Sequence, residues 1–445
     1  MPGGLLTDLY ELNMAASYLR RGMTGPATFS LFVRRLPPSR GFLVAAGVED
    51  CLTWLENFGF DEGDLDYLVG LGFDRDAVDA LAAVRFDGDV WAVPEGRIVC
   101  ANEPLLEVTA PIATAQLVET YLLNQITFQT TLATKAARCR LAAAGRIDLV
   151  EFGFRRTQGI EAGLAAARLS SMVGFVSTSN VEAAHRYGLV PAGTMAHSYI
   201  EAFPSELEAF TAFAEDLPER TTFLVDTYDT PAGVRHAIEV IRRLGLERTS
   251  GIRLDSGDLA ALAFDARRLL DDAGLPQVRI FVSGGLDERD VAALVAAGAP
   301  VDAAGIGTRL GVSADAPYLD SAYKLVDYGG RPVAKLSTRK ATLPGAKQVF
   351  RAPGLRDVIG LRGENPPEGT APLLEPVMHR GKRLAAPRSW EAGRSRFEAD
   401  LAELPPAARD LDRPVAVAAG LTPDLQRLSR EVTEALSAGR RPPIR

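Results

Sequence analysis

Seven short apolar runs recur between residues 147 and 307, and they constrain the fold more than any other feature of the chain. They are IDLVEF (147–152), MVGFVS (172–177), LVPAGTM (189–195), TTFLVD (221–226), SGIRLD (250–255), VRIFVS (278–283) and VDAAGIG (301–307). Their spacing of roughly 20 to 30 residues is what β–α units require. Amphipathic segments join several of the runs, so the pattern predicts a closed or nearly closed α/β barrel rather than an open sheet.

The segments outside these runs predict additional structure, with boundaries near residues 113 and 325. Residues 1–113 predict helices at 5–20 and around GVEDCLTWLENF, and a small antiparallel sheet over 84–110. A long helix is predicted at 114–144, inside a barrel segment of 114–325. The C-terminal segment, 326–445, is irregular apart from one helix that Thr422 caps.

Composition excludes several classes of function. The net charge of −8 disfavours a general nucleic-acid-binding surface. No apolar run reaches 18 residues, so no membrane span is predicted, and Asp8 and Glu11 interrupt any apolar signal core. Cys51, Cys100 and Cys139 are far apart and form no CxxC pair, which predicts a protein of the reducing cytoplasm with no cysteine-based zinc site.

Polar residues follow each apolar run, where the functional residues of a barrel collect. The glycine-rich turns SGG and GIGT suggest phosphate cradles, because glycine lets main-chain N–H groups approach an anion. The candidate contacts in these turns are Ser283, Gly284, Gly285, Gly307 and Thr308. The alternative is that these glycines only permit tight turns. Lys335, Arg339, Lys340 and Lys347 are further candidates for phosphate contacts, and a solvated basic face is equally compatible with the pattern.

Arg253 and Asp255 stand two residues apart at the end of one run, so their side chains share a face. Asp258 or Ser256 can cap the following helix, but capping does not explain Arg253. The pair is either a structural ion pair or a site for an anion and a cation-bound diphosphate. Two adjacent arginines, Arg155 and Arg156, follow the first apolar run. Adjacent side chains point to opposite faces of an extended chain, so one of the two can face the barrel mouth.

His197, in GTMAHSYI, is one of only four histidines. On its own it resembles a hydrogen-bonded scaffold residue. Its position among arginines, aspartates and glycine turns is equally compatible with a proton or phosphoryl acceptor. We interpret His185, His236 and His379 as structural or solvated. The sequence leaves open which carboxylate, if any, orients the imidazole of His197; the candidates are Asp226, Asp229 and Glu201.

Six motifs in order resemble those of nicotinate phosphoribosyltransferases. They are LLTDLYELNMA, EFGFRRTQG, AGTMAHSYI, DTYDT, IRLDSGDL and YKLVDYGGRPVAKLSTRKATLPGAKQVFR, which span residue 5 to about 351. The resemblance implies a type II phosphoribosyltransferase fold, an irregular α/β barrel with an α/β sandwich domain built from N- and C-terminal segments. It also implies a homodimer with shared active sites. The implied reaction joins nicotinate to 5-phosphoribosyl 1-diphosphate, requires Mg²⁺, is coupled to ATP hydrolysis and serves NAD salvage.

The resemblance also implies roles for individual residues. His197 corresponds to a histidine that ATP phosphorylates, and Tyr10 and Phe152 to aromatic residues that hold the pyridine ring. Asp226 and Asp255 correspond to catalytic carboxylates near the ribose, diphosphate and metal, with Asp255 the candidate magnesium contact. The other implied substrate contacts are Arg155, Thr194, Ser198, Arg253, Ser283, Gly284, Gly285, Gly307 and Thr308.

Three other functions remain open on the sequence. The base could be nicotinamide or quinolinate, although the adjacent arginines and the histidine argue against quinolinate. A non-catalytic sugar-phosphate-binding protein would usually lack the catalytic histidine or carboxylates, and all of them are present. A generic barrel isomerase accounts for the β–α rhythm but not for DLYELN or the cationic KLSTRKATLPGAKQVFR.

Overall fold

The computed structural model describes residues 3–337 and 341–444. Two compact units make up the chain: Met1–Thr131 with Tyr318–Arg445, and Leu132–Pro317. The boundaries between these units fall 18 residues after the first predicted boundary and eight residues before the second. Arg339 and Lys340, which the sequence suggested as phosphate contacts, lie outside the described residues.

The helices alternate with short strands along most of the chain. The α-helices are α1 Leu9–Arg20, α2 Val48–Glu56, α3 Glu62–Gly70, α4 Arg75–Ala82, α5 Ile112–Leu117, α6 Glu119–Ala143, α7 Ile160–Met172, α8 Val181–Tyr187, α9 His197–Glu201, α10 Glu206–Asp216, α11 Thr230–Leu244, α12 Leu259–Asp272, α13 Glu288–Ala296, α14 Thr308–Gly311, α15 Trp390–Glu403, α16 Pro406–Arg409 and α17 Pro423–Ser437. Short 3₁₀ helices lie at Phe154–Arg156 and Pro218–Arg220.

The strands are β1 Pro26–Val33, β2 Leu43–Val44, β3 Asp89–Ala92, β4 Ile98–Val99, β5 Pro104–Pro111, β6 Asp148–Glu151, β7 Ser177–Thr178, β8 Thr222–Leu224, β9 Gly251–Leu254, β10 Arg279–Val282, β11 Ala303–Ile306, β12 Ser321–Tyr328, β13 Arg331–Pro332, β14 Lys347–Ala352, β15 Arg356–Leu361, β16 Ala371–Pro372, β17 Glu375–His379, β18 Lys382–Arg383 and β19 Gly420–Leu421.

The first unit contains an antiparallel sheet and a mixed sheet. Its seven-stranded sheet has the order β13-β12-β1-β5-β3-β17-β18, and β14 and β15 belong to a separate four-stranded sheet. Lys347 begins β14 and is buried, with its ammonium 3.2 Å from the Glu107 carboxylate. It therefore does not belong to a solvated basic face, because its charge is neutralised in the core.

The second unit is built on a six-stranded parallel sheet with the order β7-β6-β11-β10-β9-β8. Six of the seven apolar runs supply these strands. The prediction of a strand at LVPAGTM is wrong, since only Pro191 makes an isolated bridge, to Thr178. Proline has no N–H to donate to a ladder, and Gly193 disfavours an extended strand further along the run. The two edge strands of the sheet are β7 and β8, and the run between them in the chain supplies no strand to the sheet.

Local capping signals place the helices as the sequence predicts. Asp258 caps α12 by accepting from the Ala261 N–H, and Thr422 caps α17 by accepting from the Leu425 N–H. The long helix predicted at 114–144 is divided at Val118 into α5 and α6. In the described part of the chain, no helix combines the length and apolar character needed to cross a membrane.

Candidate active site

The carboxyl ends of the six parallel strands carry the polar residues that the sequence singled out. A cavity of about 440 Å³ opens beside these strand ends in the second unit. Its lining residues are Phe152, Phe154, Arg155, Ser179, Gly193, Thr194, Met195, Ala196, His197, Leu224, Arg253 and Asp255. The structure thus brings together residues that are up to 103 positions apart in the sequence.

Arg253 is the most heavily hydrogen-bonded side chain of the cavity. Its Nε donates to Ser283 Oγ at 2.8 Å, and its Nη1 donates to Thr194 Oγ1 at 2.9 Å. Its Nη2 lies 2.6 Å from Asp255 Oδ1, which confirms that Arg253 and Asp255 share one face of the strand end. Each nitrogen of this guanidinium is engaged by the protein, so Arg253 is a fixed positive charge.

Asp255 and Asp226 form a linked pair of carboxylates. Asp226 Oδ2 accepts from the Asp255 N–H at 2.9 Å and from Ser256 Oγ at 2.7 Å. Burial acts to raise the pKa of Asp255, but the Ser283 hydroxyl and the Arg253 charge outweigh it, so the pKa lies below its usual value. Asp226 Oδ1 is buried and has no hydrogen-bond partner within the described residues, which leaves one oxygen for a ligand.

His197 begins helix α9, and both of its ring nitrogens have polar neighbours. Nδ1 lies 3.1 Å from Thr227 Oγ1, and Nε2 lies 4.0 Å from Asp255 Oδ2. The sequence left open whether Asp226, Asp229 or Glu201 orients the imidazole, and the hydrogen bond goes to none of them. Asp229 instead caps α11 by accepting from the Ala232 N–H.

Phe152 and Arg155 form the apolar and cationic parts of the cavity wall. The Phe152 ring lies over Gly305, where a Cβ would come within 2.8 Å of it, and 5.5 Å from the Phe281 ring centre. Arg155 is exposed and makes no hydrogen bond or ion pair with any residue that the structure describes. The wall therefore offers a flat apolar surface beside an available guanidinium.

The glycine turns after β10 and β11 hold their main chains close to neighbouring loops. Gly284 has a φ of +106°, and a Cβ there would lie 2.0 Å from the Asp255 carbonyl oxygen. The N–H groups of Gly284, Gly285, Gly307 and Thr308 donate to no acceptor within residues 3–337 and 341–444. These turns have the unused donors that an anion requires, whereas the Ser283 hydroxyl already contacts Arg253 and Asp255.

The remaining predicted residues are distributed differently. Thr194 lines the cavity, and Ser198 is exposed in α9 and is not among the lining residues. Tyr10 belongs to the other unit, on α1, where its exposed hydroxyl donates to Glu11 Oε1 at 3.1 Å. Burial raises its pKa, so the phenol stays protonated at neutral pH.

Sequence reasoning missed two residues beside the cavity. Thr227 directly follows Asp226 in DTYDT, and Glu151 is an acidic residue at the end of the apolar run IDLVEF. A charge at the end of a buried strand was the available signal for Glu151. No feature of the sequence distinguished Thr227 from the other hydroxyl residues.

Comparison with known proteins matches nearly the whole chain to one family. Residues 5–127 match the nicotinate phosphoribosyltransferase N-terminal domain, and residues 147–343 match the nicotinate phosphoribosyltransferase family. The chain is 48% identical to nicotinate phosphoribosyltransferase pncB2 of Mycobacterium tuberculosis, over 96% of this chain and 94% of that protein. It is 43% identical to the Bacillus subtilis nicotinate phosphoribosyltransferase, over 78% of this chain and 72% of that protein.

Two solved structures are similar to the chain over most of its length. The crystal structure of human nicotinic acid phosphoribosyltransferase has a TM-score of 0.86 and 31% identity, covering 95% of this chain and 99% of the human chain. A nicotinate-nucleotide pyrophosphorylase from Pyrococcus furiosus has a TM-score of 0.76 and 25% identity, covering 90% of this chain and 96% of the archaeal chain. The type II phosphoribosyltransferase fold predicted from the sequence is confirmed by these likenesses. With family matches along most of its length, the chain belongs to the nicotinate phosphoribosyltransferase family.

Proposed function

We propose that the protein joins nicotinate to 5-phosphoribosyl 1-diphosphate, producing nicotinate mononucleotide and diphosphate. The observation that carries this proposal is the unpaired guanidinium of Arg155 beside the ring of Phe152. A planar cation forms strong hydrogen bonds to a carboxylate, and an aromatic ring stacks on a flat heterocycle. Nicotinate has both features, and the names of the related enzymes agree with it.

The cavity favours a base with one carboxylate. Every nitrogen of the Arg253 guanidinium already donates to Asp255, Ser283 or Thr194. Arg155 has no partner among the described residues, so it is the cation we assign to the base. A charge-assisted hydrogen bond contributes about 1.5–3 kcal/mol, which corresponds to roughly 10- to 150-fold discrimination against the uncharged nicotinamide. Quinolinate carries a second carboxylate, for which the lining residues offer no further available cation.

The reaction forms one bond and breaks another at the ribose C1. The pyridine nitrogen donates its lone pair to C1, and the C1–O bond breaks with its electron pair leaving on the diphosphate. Positive charge develops at C1 in the transition state, and the nearby carboxylates of Asp226 and Asp255 stabilise it. We assign the 5′-phosphate to the N–H groups of Gly284, Gly285, Gly307 and Thr308, because they donate to no acceptor among the described residues.

The same carboxylates suit a magnesium ion. Magnesium prefers oxygen ligands, and Asp226 Oδ1 is a buried oxygen with no hydrogen-bond partner in the described chain. We expect Asp226 and Asp255 to hold the ion, which when bound would neutralise charge on the diphosphate.

His197 is proposed to couple the reaction to ATP. A ring nitrogen attacks the γ-phosphorus, the bond to the β-phosphate oxygen breaks and ADP leaves; water later cleaves the phosphohistidine to release phosphate. The partly exposed position of His197 at the cavity wall supports this role, because a phosphoryl donor can reach it.

The wider setting is also part of the proposal. Tyr10 would contact the pyridine ring of a neighbouring subunit in a homodimer, and its exposure on α1 supports such a role. The product would enter the salvage synthesis of NAD. The free and buried cysteines fit the reducing cytoplasm as its location.

Nucleotide formation tests the proposal directly. Purified protein is incubated with 5-phosphoribosyl 1-diphosphate, Mg²⁺ and either nicotinate, nicotinamide or quinolinate, each with and without ATP. We expect rapid formation of nicotinate mononucleotide alone, stimulated by ATP with release of ADP. Preferential use of quinolinate or nicotinamide would contradict the assignment of the base, and an ATP-independent rate would contradict the coupling.

A further inference from the structure

Glu151 is a buried carboxyl group that the proposed chemistry does not use. It ends strand β6, has no exposed surface and makes no ion pair with a residue in the described part of the chain. Its Oε1 accepts from the Gly153 N–H, and its Oε2 accepts from Thr178 Oγ1 at 2.6 Å. Burial raises its pKa, and these two hydrogen bonds oppose that effect.

Burying a carboxyl group in this position costs folding free energy, which its hydrogen bonds offset only in part. Burying such a group without a cation is unfavourable whether it is charged or neutral, and an apolar side chain of similar size would avoid the penalty. The contribution of Glu151 therefore lies in what its two acceptor atoms hold in place.

The first hydrogen bond fixes the turn that carries the base-binding residues. Gly153 lies between Phe152 and the 3₁₀ helix Phe154–Arg156, and its carbonyl accepts from the Arg156 N–H at 2.7 Å. A Cβ on Gly153 would lie 2.8 Å from Glu151 Oε1, so a larger residue there would require the Glu151 carboxyl to shift. The Glu151 carboxyl thereby determines where the turn leaves the strand.

The second hydrogen bond ties this turn to the next loop. Thr178 ends strand β7, and the following Ser179 lines the cavity. The Ser179 N–H donates to the Glu151 carbonyl at 2.8 Å, so main chain and side chain of one residue connect the two loops.

We infer that Glu151 is a positioning residue for the pyridine base: through Gly153 and Thr178 it sets the relative positions of Phe152, Arg155 and Ser179. This inference rests on the proposed function, because it assigns the cavity wall to nicotinate. It concerns the base and not the ribosyl diphosphate, whose proposed contacts follow β8 to β11.

Matched variants separate positioning from general stability. Glu151→Gln keeps both contacts, since its amide oxygen accepts from Gly153 and its amide N–H donates to the Thr178 oxygen. Glu151→Met has a similar length and removes both. Thr178→Val keeps the side-chain volume and removes the second contact, together with the acceptor of the Asn180 N–H at 3.1 Å.

The measurements are KM for nicotinate, KM for 5-phosphoribosyl 1-diphosphate and kcat. We expect Glu151→Met to raise the nicotinate KM roughly tenfold or more, and Thr178→Val to raise it about three- to tenfold. In both variants KM for 5-phosphoribosyl 1-diphosphate should stay within about twofold of the wild-type value. Glu151→Gln should keep both KM values near those of wild type.

Three outcomes decide the inference. An unchanged nicotinate KM in Glu151→Met, or an equal rise in both KM values, overturns it while leaving the proposed function intact. A wild-type protein that does not consume nicotinate overturns both. If Glu151→Met does not fold, Thr178→Val decides alone, and equal KM values in that variant and in wild type overturn the inference.

Discussion

The imidazole of His197 is held by a hydroxyl group, because its Nδ1 lies 3.1 Å from Thr227 Oγ1. A carboxylate only accepts hydrogen bonds, whereas a hydroxyl both donates and accepts. Thr227 can therefore keep one contact with the ring before and after its protonation changes. The sequence left open which carboxylate, if any, orients the imidazole, and in the structure the hydrogen-bond partner is a neutral hydroxyl.

Removing that hydroxyl should slow the reaction of His197 with ATP. We expect Thr227→Val to reduce ATP hydrolysis about three- to tenfold, in line with one lost hydrogen bond. Thr227→Ser retains the hydroxyl and should stay within about twofold of wild type. Phosphate release is measured at saturating substrates, and equal rates for the two variants would contradict the positioning of His197 by Thr227.

Removing the imidazole should abolish coupling altogether. We expect His197→Ala to lose ATP hydrolysis and the stimulation of nucleotide formation, because alanine has no ring nitrogen to accept the phosphoryl group. His185→Ala is the matched control, because His185 is exposed on α8 and is not among the cavity-lining residues. The check is incorporation of label from γ-labelled ATP into protein; labelled His197→Ala protein would refute the phosphohistidine.

Arg155 should decide the preference for nicotinate. Replacing it with alanine removes the available guanidinium, so we expect KM for nicotinate to rise roughly 10- to 150-fold and the preference over nicotinamide to shrink. Arg156 is adjacent and exposed but is not among the cavity-lining residues, so Arg156→Ala serves as the control. The ratio of kcat/KM for the two pyridines is the readout, and an unaltered ratio would assign carboxylate recognition to another residue.

Gly284 should tolerate no side chain. Its φ is +106° and an added Cβ would lie 2.0 Å from the Asp255 carbonyl, whereas Gly285 has a φ of +73° and open space around it. We expect Gly285→Ala to cost about 1–2 kcal/mol of unfolding free energy from backbone strain alone, and Gly284→Ala to cost more. Thermal denaturation compares them, and an equal loss would mean that the turn can move away from Asp255.

Glu103 should make the stability of the first unit depend on pH. It is buried beside Cys100 and Asp357, and burial together with the Asp357 charge holds its pKa well above the usual value. Arg351 pairs with Asp357 at 2.7 Å, so the negative charge of this cluster resides on Asp357. The folded state thus keeps a proton on Glu103 that the unfolded chain has lost.

The sign of the effect follows from that retained proton. As pH rises from the usual glutamate pKa towards the raised one, wild type should lose up to about 1.4 kcal/mol of unfolding free energy per pH unit. Glu103→Gln has no proton to lose and should lack this slope. Denaturant unfolding at several pH values measures both proteins, and parallel curves would show that Glu103 is ionised in the folded state.

Much of the architecture followed from periodicity and spacing. The i, i+2 spacing of Arg253 and Asp255 gave their shared face, and the capping residues Asp258 and Thr422 gave the starts of two helices. The apolar content of LVPAGTM could not exclude a strand there. Pro191 lacks an N–H donor, but whether a strand pairing would need that donor depends on the partner strand, which the sequence does not identify. Thr227 was unpredictable for a related reason: its contact with His197 joins residues 30 positions apart.

The missing strand at LVPAGTM has a consequence for how such a site can be altered. Residues 193–196 line the cavity without belonging to any strand ladder. A residue inserted or deleted there would change the size of the cavity and leave the register of the sheet untouched. In β9 the same change would turn Arg253 to the opposite face of the sheet. In the segment before His197, the volume of the cavity can therefore be changed without moving the charged side chains of Arg253 and Asp255.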